Sequence, residues 1–212
     1  MGEIIESWAS QPNYPLIRAS VTKSNELSLL QQVFKFNCST DIGKNNSRYW
    51  WIPVKVNYAS GDYGYVIDQE LHWLGPENKT KEVKFESKIA EDGWYVLNPR
   101  QIGYYRVDYD LHNWEALVNL LDSEEFKLLT GTTRAALIDD AFNLARAGIR
   151  DYSLPLELAA YLHREDEYVP WVAACRAIKL LNHALKDRPF VARIFKVIFI
   201  FFFIFEFSDE KI

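Results

Sequence analysis

The sequence predicts an all-β sandwich followed by an all-α domain of helical-repeat, solenoid-like type, the second domain truncated. Three observations predict it. Residues up to Tyr109 read as short strands divided by turn signals. Residues after Asp110 carry a helical period instead. The change falls in one stretch, Asn98 to Asp110, where Tyr105, Val107 and Tyr109 alternate with Tyr104, Arg106 and Asp108 as on the two faces of a strand. Pro99 and Gly103 mark the turn that leads in, and Asp110 suits the N-cap of a helix.

Residues 1–15 read as an extended lead-in, with Trp8 and then Gln11-Pro12-Asn13-Tyr14-Pro15. Strand candidates follow at Leu16–Thr22, Glu26–Phe36, Trp51–Ala59, Tyr65–Trp73, Lys81–Ser87, Trp94–Leu97 and Gly103–Tyr109. Breakers such as Lys23-Ser24-Asn25, Ser60-Gly61-Asp62 and Gly75-Pro76-Glu77-Asn78 separate them. Short strands at this spacing, with no helical period, predict an antiparallel sandwich over 16–109 rather than a barrel. Beyond Asp110, Trp114, Leu117, Val118 and Leu121 share a helical face. Thr130-Gly131-Thr132-Thr133 breaks and caps, Arg134 to Ala147 is the strongest helix, and Gly148 stands where a helix-ending glycine belongs. Leu154–Leu162 and Trp171–Leu185 complete the helices, with Pro170 in a first turn that tolerates it. The stack of short helices covers 110–190.

Residues 191–212 differ in composition. Val197 to Phe205 holds only Val, Ile and Phe, and nine apolar residues are too few to span a bilayer as a helix. Such a Phe/Ile-rich run is what AT-rich DNA encodes, so it reads as intron read-through. A spliced cDNA that keeps this frame would rule that out.

With 49% hydrophobic and 25% charged residues the chain can bury a real core. The net charge of −5 and the lack of a basic block exclude a nucleic-acid partner from the expectations. Cys38 and Cys175 lie far apart and form neither a metal-ligand spacing nor a disulfide framework. Sequons at Asn37, Asn45 and Asn78 make these candidate N-glycosylation sites and point to an extracellular or luminal protein. Met1 to Glu6 is no signal peptide, because it lacks a basic start and an apolar run.

Catalytic patterns are absent. His72, His112, His163 and His183 are never one helical turn apart, so no H-E-x-x-H zinc motif exists. No nucleophile elbow, phosphate loop or dinucleotide fingerprint occurs. Asp139-Asp140 is a paired acid inside a helix. Neighbouring helical side chains diverge by about 100°, so the pair is a poor metal or acid–base site, and a carboxylate bordering the apolar stripe needs a basic partner. Arg106, Arg134 and Arg146 are the candidates, and the expectation is an Asp–Arg pair that staples helix to sheet. Glu165-Asp166-Glu167 reads as a solvated charge run. In Trp50-Trp51 the rings point to opposite faces of a strand, one to the core and one outward.

Two long motifs resemble the aminopeptidase N family of zinc aminopeptidases: Gly103-Tyr104-Tyr105-Arg106-Val107-Asp108-Tyr109-Asp110 and Arg134 through Gly148. The resemblance extends to Gln11-Pro12-Asn13-Tyr14-Pro15, Trp51-Ile52-Pro53 and Glu167-Tyr168-Val169-Pro170-Trp171, covering roughly Ile5 to Arg188. It implies a small sandwich that follows a catalytic domain, then the start of a helical cap over the active-site cavity. It implies zinc in the parent enzyme but not in this chain. The family's G-x-M-E-N loop has no counterpart, since Met1 is the only methionine. Catalytic, cofactor and metal residues are therefore none here, and Arg106, Asp139 and Asp140 are carried forward as a structural interdomain pair. The partner implied is the parent's catalytic domain, with peptide and membrane reached only through that parent. The alternative is a stand-alone interaction module derived from the same fold.

Overall fold

In the computed structural model the described residues are 2–22, 24–36, 49–60, 64–67, 70–77, 80–84, 89 and 93–187. The chain is mixed α/β: nine strands precede Asp110 and four of the five helices follow it among these residues. The strands are β1 (Pro15–Val21), β2 (Glu26–Val33), β3 (Ile52–Val54), β4 (Val56–Ser60), β5 (Gly64–Ile67), β6 (His72–Leu74), β7 (Thr80–Lys84), β8 (Tyr95–Leu97) and β9 (Arg106–Tyr109). They form sheets ordered β7-β2-β1-β9, β5-β4-β8 and β3-β6.

Three expectations need correction. The lead-in is not wholly extended, because Gly2–Ala9 is a helix, α1. Its eight residues are too short to display a period, and Pro12 argued for extension only near itself. Trp8 ties it down, its Nε1 donating to Trp51 O at 2.9 Å. Next, the Trp51–Ala59 candidate splits at Lys55 into β3 and β4, which pair with different strands. The Tyr65–Trp73 candidate divides likewise between β5 and β6. Finally, the pairing is not all antiparallel: β1 runs parallel to β9, with Leu16 opposite Arg106 and Ala19 opposite Tyr109. A parallel pair needs a long crossover, and the intervening strands supply it. Alternation of apolar residues sets which face is buried and is silent on strand direction.

β9 buries Val107 and Tyr109 on one side, in line with Tyr105 just before it. Asp108, on the other, is also buried, because Arg150 Nε donates to it at 2.6 Å and Trp114 Nε1 at 3.3 Å. Asp110 caps α2 (Leu111–Asp122), its Oδ1 accepting from Asn113 N at 2.9 Å. Trp114, Leu117 and Leu121 form the buried face of α2.

The strongest helix, α3 (Gly131–Arg146), starts three residues before its expected Arg134. Only Thr130 is outside it, with Oγ1 accepting from Thr133 N. Its end is a Schellman motif. Gly148 has φ 71°, its amide donates to Ala145 O, and Ile149 N donates to Leu144 O at 2.9 Å. The Leu154–Leu162 segment becomes α4 (Ser153–Ala159) and a 3-10 turn over Ala160–Arg164. α5 (Tyr168–Ala184) closes the described chain. One continuous hydrophobic cluster joins strands and helices, from Leu16 and Ile17 through Trp114 and Ile138 to Ala174.

Candidate functional site at the strand–helix junction

The junction of β9 with α3 brings Arg106, Asp139 and Asp140 together. Arg106 Nη1 donates to Asp139 Oδ2 at 2.6 Å and to Asp140 Oδ1 at 2.8 Å. The expected divergence of the two carboxylates is corrected: both converge on one nitrogen of a single guanidinium. Arg106 Nε donates to the Tyr14 hydroxyl at 3.0 Å, and the guanidinium carbon lies 5.8 Å from the Tyr14 ring centroid and 5.3 Å from that of Phe34. The remaining oxygens are used as well. Asp140 Oδ2 accepts Val107 N at 3.0 Å, and Asp139 Oδ1 accepts Asn143 Nδ2 at 3.0 Å.

The charges follow from this geometry. Burial works against the Arg106 charge, but the carboxylates of Asp140 and Asp139 outweigh it and hold the guanidinium above its ordinary value. Burial pushes the Asp140 carboxyl up to about 7, against the pull of the Arg106 charge and the Val107 amide. The Tyr105 hydroxyl, also pushed well up by burial, has no hydrogen-bond partner among the described residues.

The loop entering β9 is a rigid neighbour. Asn98, Arg100 and Gln101 have φ of 55°, 63° and 54°. Holding Arg100 and Gln101 there costs on the order of 1 kcal/mol each. The Asn98 side chain grips Gly103 from both sides, Oδ1 accepting its amide and Nδ2 donating to its carbonyl, each at 2.8 Å. Arg100 N donates to Thr133 Oγ1 at 3.1 Å, fastening the loop to α3. Gly103 is required by close approach, since a Cβ there would stand 2.3 Å from the Tyr105 ring. No spacing rule marked Tyr14, Tyr104 or this loop as part of a site.

The other candidate arginines go elsewhere. Arg146 lies 4.2 Å from the Phe36 ring centroid, rather than on the aspartates. Arg134 forks onto Glu165, Nε to Oε2 at 2.6 Å and Nη2 to Oε1 at 2.7 Å, with the two side chains 1% and 0% exposed. Its Nη1 donates to Leu129 O and its Nη2 to Glu167 at 3.0 Å. The reading of Glu165-Asp166-Glu167 as a solvated run is thus corrected: Glu165 is a core ion-pair residue, while Asp166 meets Lys127 at the surface. Burial raises Glu165, but Arg134, the Glu167 amide and the Tyr161 hydroxyl outweigh it and hold its carboxyl below the usual value. A charge run carries no period that singles out its inward member.

Trp50 is fully buried and Trp51 half-buried, packed edge-on to Trp73. His112 and His183 are exposed on α2 and α5, and Cys175 is half-buried and free. Among the described residues no three of His, Cys, Asp or Glu gather as a metal site. Asn37, Asn45, Asn78, Cys38 and the 191–212 stretch lie outside the described residues. Among the described residues no helix is long and apolar enough to cross a membrane.

Comparison with known proteins agrees with the two motifs that meet here. The thyrotropin-releasing hormone-degrading ectoenzyme of Homo sapiens is 34% identical over 189 residues, which cover 86% of this chain and 17% of that protein. Aminopeptidase N of Plutella xylostella is 34% identical over 184 residues, 86% of this chain and 19% of its own. Glutamyl aminopeptidase of Bitis rhinoceros is 31% identical over 190 residues, 87% and 18%. The chain therefore spans less than a fifth of the length of these curated relatives. The family model of the ERAP1-like C-terminal domain matches residues 94–200, reaching into the stretch set apart by composition. The chain belongs to the ERAP1-like C-terminal domain family, among the relatives of aminopeptidase N.

Proposed function

We propose that this chain is a C-terminal region of a zinc aminopeptidase and carries no catalytic residue of its own. Residues 16–109 form the sandwich that spaces the catalytic domain from the cap, and residues 110–190 begin the cap over the substrate cavity. The parent removes N-terminal amino acids from peptides by zinc-activated water, and its zinc and peptide contacts belong to its catalytic domain. The parent is an ectoenzyme, extracellular or membrane-attached. The observation that carries the reading is the Arg106 bridge to Asp139 and Asp140, which locks together the two segments most like aminopeptidase N. The relatives are named as aminopeptidases and an ectoenzyme, which supports the same reading.

Two measurements test it. The purified chain is expected to bind no stoichiometric zinc and to hydrolyse no aminoacyl chromogenic substrate, so turnover by a clean preparation ends the non-catalytic assignment. An antibody to residues 98–148 is expected to capture an active species several times heavier than 24.8 kDa. Capture of a species near 24.8 kDa would put the stand-alone interaction module first.

A further inference from the structure

We propose that the cavity between the loop before β9 and the middle of α3 binds an organic cation, the ammonium or guanidinium of an amino acid or peptide. The cavity has a volume of about 350 Å³, enough for one amino-acid side chain, and is lined by Tyr14, Gln101, Tyr104, Tyr105, Asp139 and Asp140 among others. This site goes beyond the aminopeptidase reading and does not depend on it.

Four observations converge. The first is charge. Arg106 is the one cation among the described lining residues, and it faces two carboxylates, so with both ionised these residues hold an excess negative charge. That excess is reachable, because the Asp139 side chain is 43% exposed. The second is the aromatic lining. The rings of Tyr14 and Tyr104 stand 5.2 Å apart at 51°, with Trp8 6.4 Å beyond Tyr104. Ring faces attract cations that carry apolar stems, and Tyr104 is 70% exposed at the entrance. Arg106 already shows that a guanidinium is accommodated between these carboxylates and the Tyr14 ring.

The third is an unmet hydrogen bond. Tyr105 lines the cavity and is only 7% exposed, and its hydroxyl, sealed from solvent, has no partner among the described residues. An N–H donor that displaces the ring enough to reach it gives that oxygen something to accept. The fourth is rigidity. The left-handed residues Arg100 and Gln101, the Asn98–Gly103 grip and the Thr133 bond hold the wall in place before any ligand arrives. A preformed wall spares a ligand the entropy of ordering it.

The charged and titratable groups facing the site are Arg106 and Tyr105 from β9 and its lead-in, Asp139 and Asp140 from α3, Tyr104 from the loop, and Tyr14 from the N-terminal segment, with Arg146 of α3 and Arg176 and His183 of α5 lining the adjoining cavity that Arg106 and Asp139 share. Of these, Asp140 changes charge near neutrality. Cation affinity therefore rises between pH 6 and pH 8, as Asp140 ionises and the excess negative charge is completed.

The test titrates the full chain with three probes, following tryptophan fluorescence and amide shifts. N-acetyl-lysine amide offers a side-chain ammonium alone, leucine amide an α-ammonium alone, and N-acetyl-norleucine amide the same stem without charge. Saturable binding at about 1 mM or tighter is expected for at least one ammonium probe and not for the neutral one. Binding of the lysine derivative alone assigns the site to a basic side chain, and binding of leucine amide alone to a chain N-terminus. Asp139→Asn is expected to weaken binding by at least about fivefold. Because Asp139 also holds Arg106, Tyr104→Ala on the exposed rim is the second variant, expected to weaken binding about threefold with the circular dichroism spectrum unchanged. No saturation by either ammonium probe, equal binding of the norleucine control, or an unaltered Tyr104→Ala chain would overturn the proposal.

Discussion

Arg106 carries one positive charge into a junction that holds two carboxylates and a backbone amide, and its side chain is 15% exposed. Removing it as Arg106→Met leaves Asp139 and Asp140 facing each other without compensation. Breaking a fully buried pair from one side typically costs about 3–5 kcal/mol; with the Asp139 side chain 43% exposed the expected loss is smaller, about 2 kcal/mol, read as a lowered urea midpoint, and Arg106→Lys, with a single donor head, is expected to recover only part. Asp140 yields a prediction with a sign. Its folded carboxyl titrates at about 7, above the 3.8 of an unperturbed aspartate. Between those values the folded state holds more protons than the unfolded one, so this residue's contribution to stability falls as pH rises through the window, by up to about 1.4 kcal/mol per pH unit. Asp140→Asn should flatten that slope in urea titrations between pH 4 and 7. A slope equal to wild type would show that another group titrates there. The need of a bordering acid for a base was legible in the order of residues on α3. Residue order offered Arg106, Arg134 and Arg146 alike, and Arg106 was carried forward with the aspartates; what the sequence did not show is where the other two go, Arg134 to Glu165 and Arg146 to Phe36.

Elements in this chain are held by their ends. α3 has a threonine cap at its start and a left-handed glycine at its finish. Gly148→Ala forces a Cβ into φ 71° and is expected to cost about 1 kcal/mol, a shift of roughly 2–4 °C in thermal midpoint for a chain this long. The buried fork of Arg134 on Glu165 pins the start of α3 to the approach of α5. Glu165→Gln leaves the buried guanidinium only the half-exposed Glu167 as a counter-charge and is expected to destabilise by about 3 kcal/mol, whereas Asp166→Asn, at a fully exposed pair, should leave the same melting curve essentially unchanged. Caps were legible in sequence, since Asp110, Thr130 and Gly148 are residue types with a local reason to be there. Strand breaks were less so. Lys55 interrupts an apolar alternation without breaking it, and only the separate partners of β3 and β4 reveal the division. α1 was missed for want of length.

At the scale of the molecule, sheet and helix residues share a single apolar cluster, with Trp50 and Trp94 on the strand side and Trp114 on α2. Unfolding is therefore expected as one transition, with tryptophan fluorescence and far-ultraviolet dichroism superimposed in urea. Two separated midpoints would mean that the cluster divides on heating or in denaturant. The switch from strands to helices at Asp110 could be read in the sequence, because each period repeats often enough to be seen. The neighbour of β1 could not, because it arrives from the far side of the sheet region. That arrangement has a consequence during synthesis. Strand β1 leaves the ribosome long before its partner β9, which begins only at Arg106. Until Tyr109 has cleared the exit tunnel, one edge of β1 stays open to any other extended chain. Nascent chains stalled before residue 106 are expected to recruit holding chaperones, and those released past the Asp110 cap to shed them.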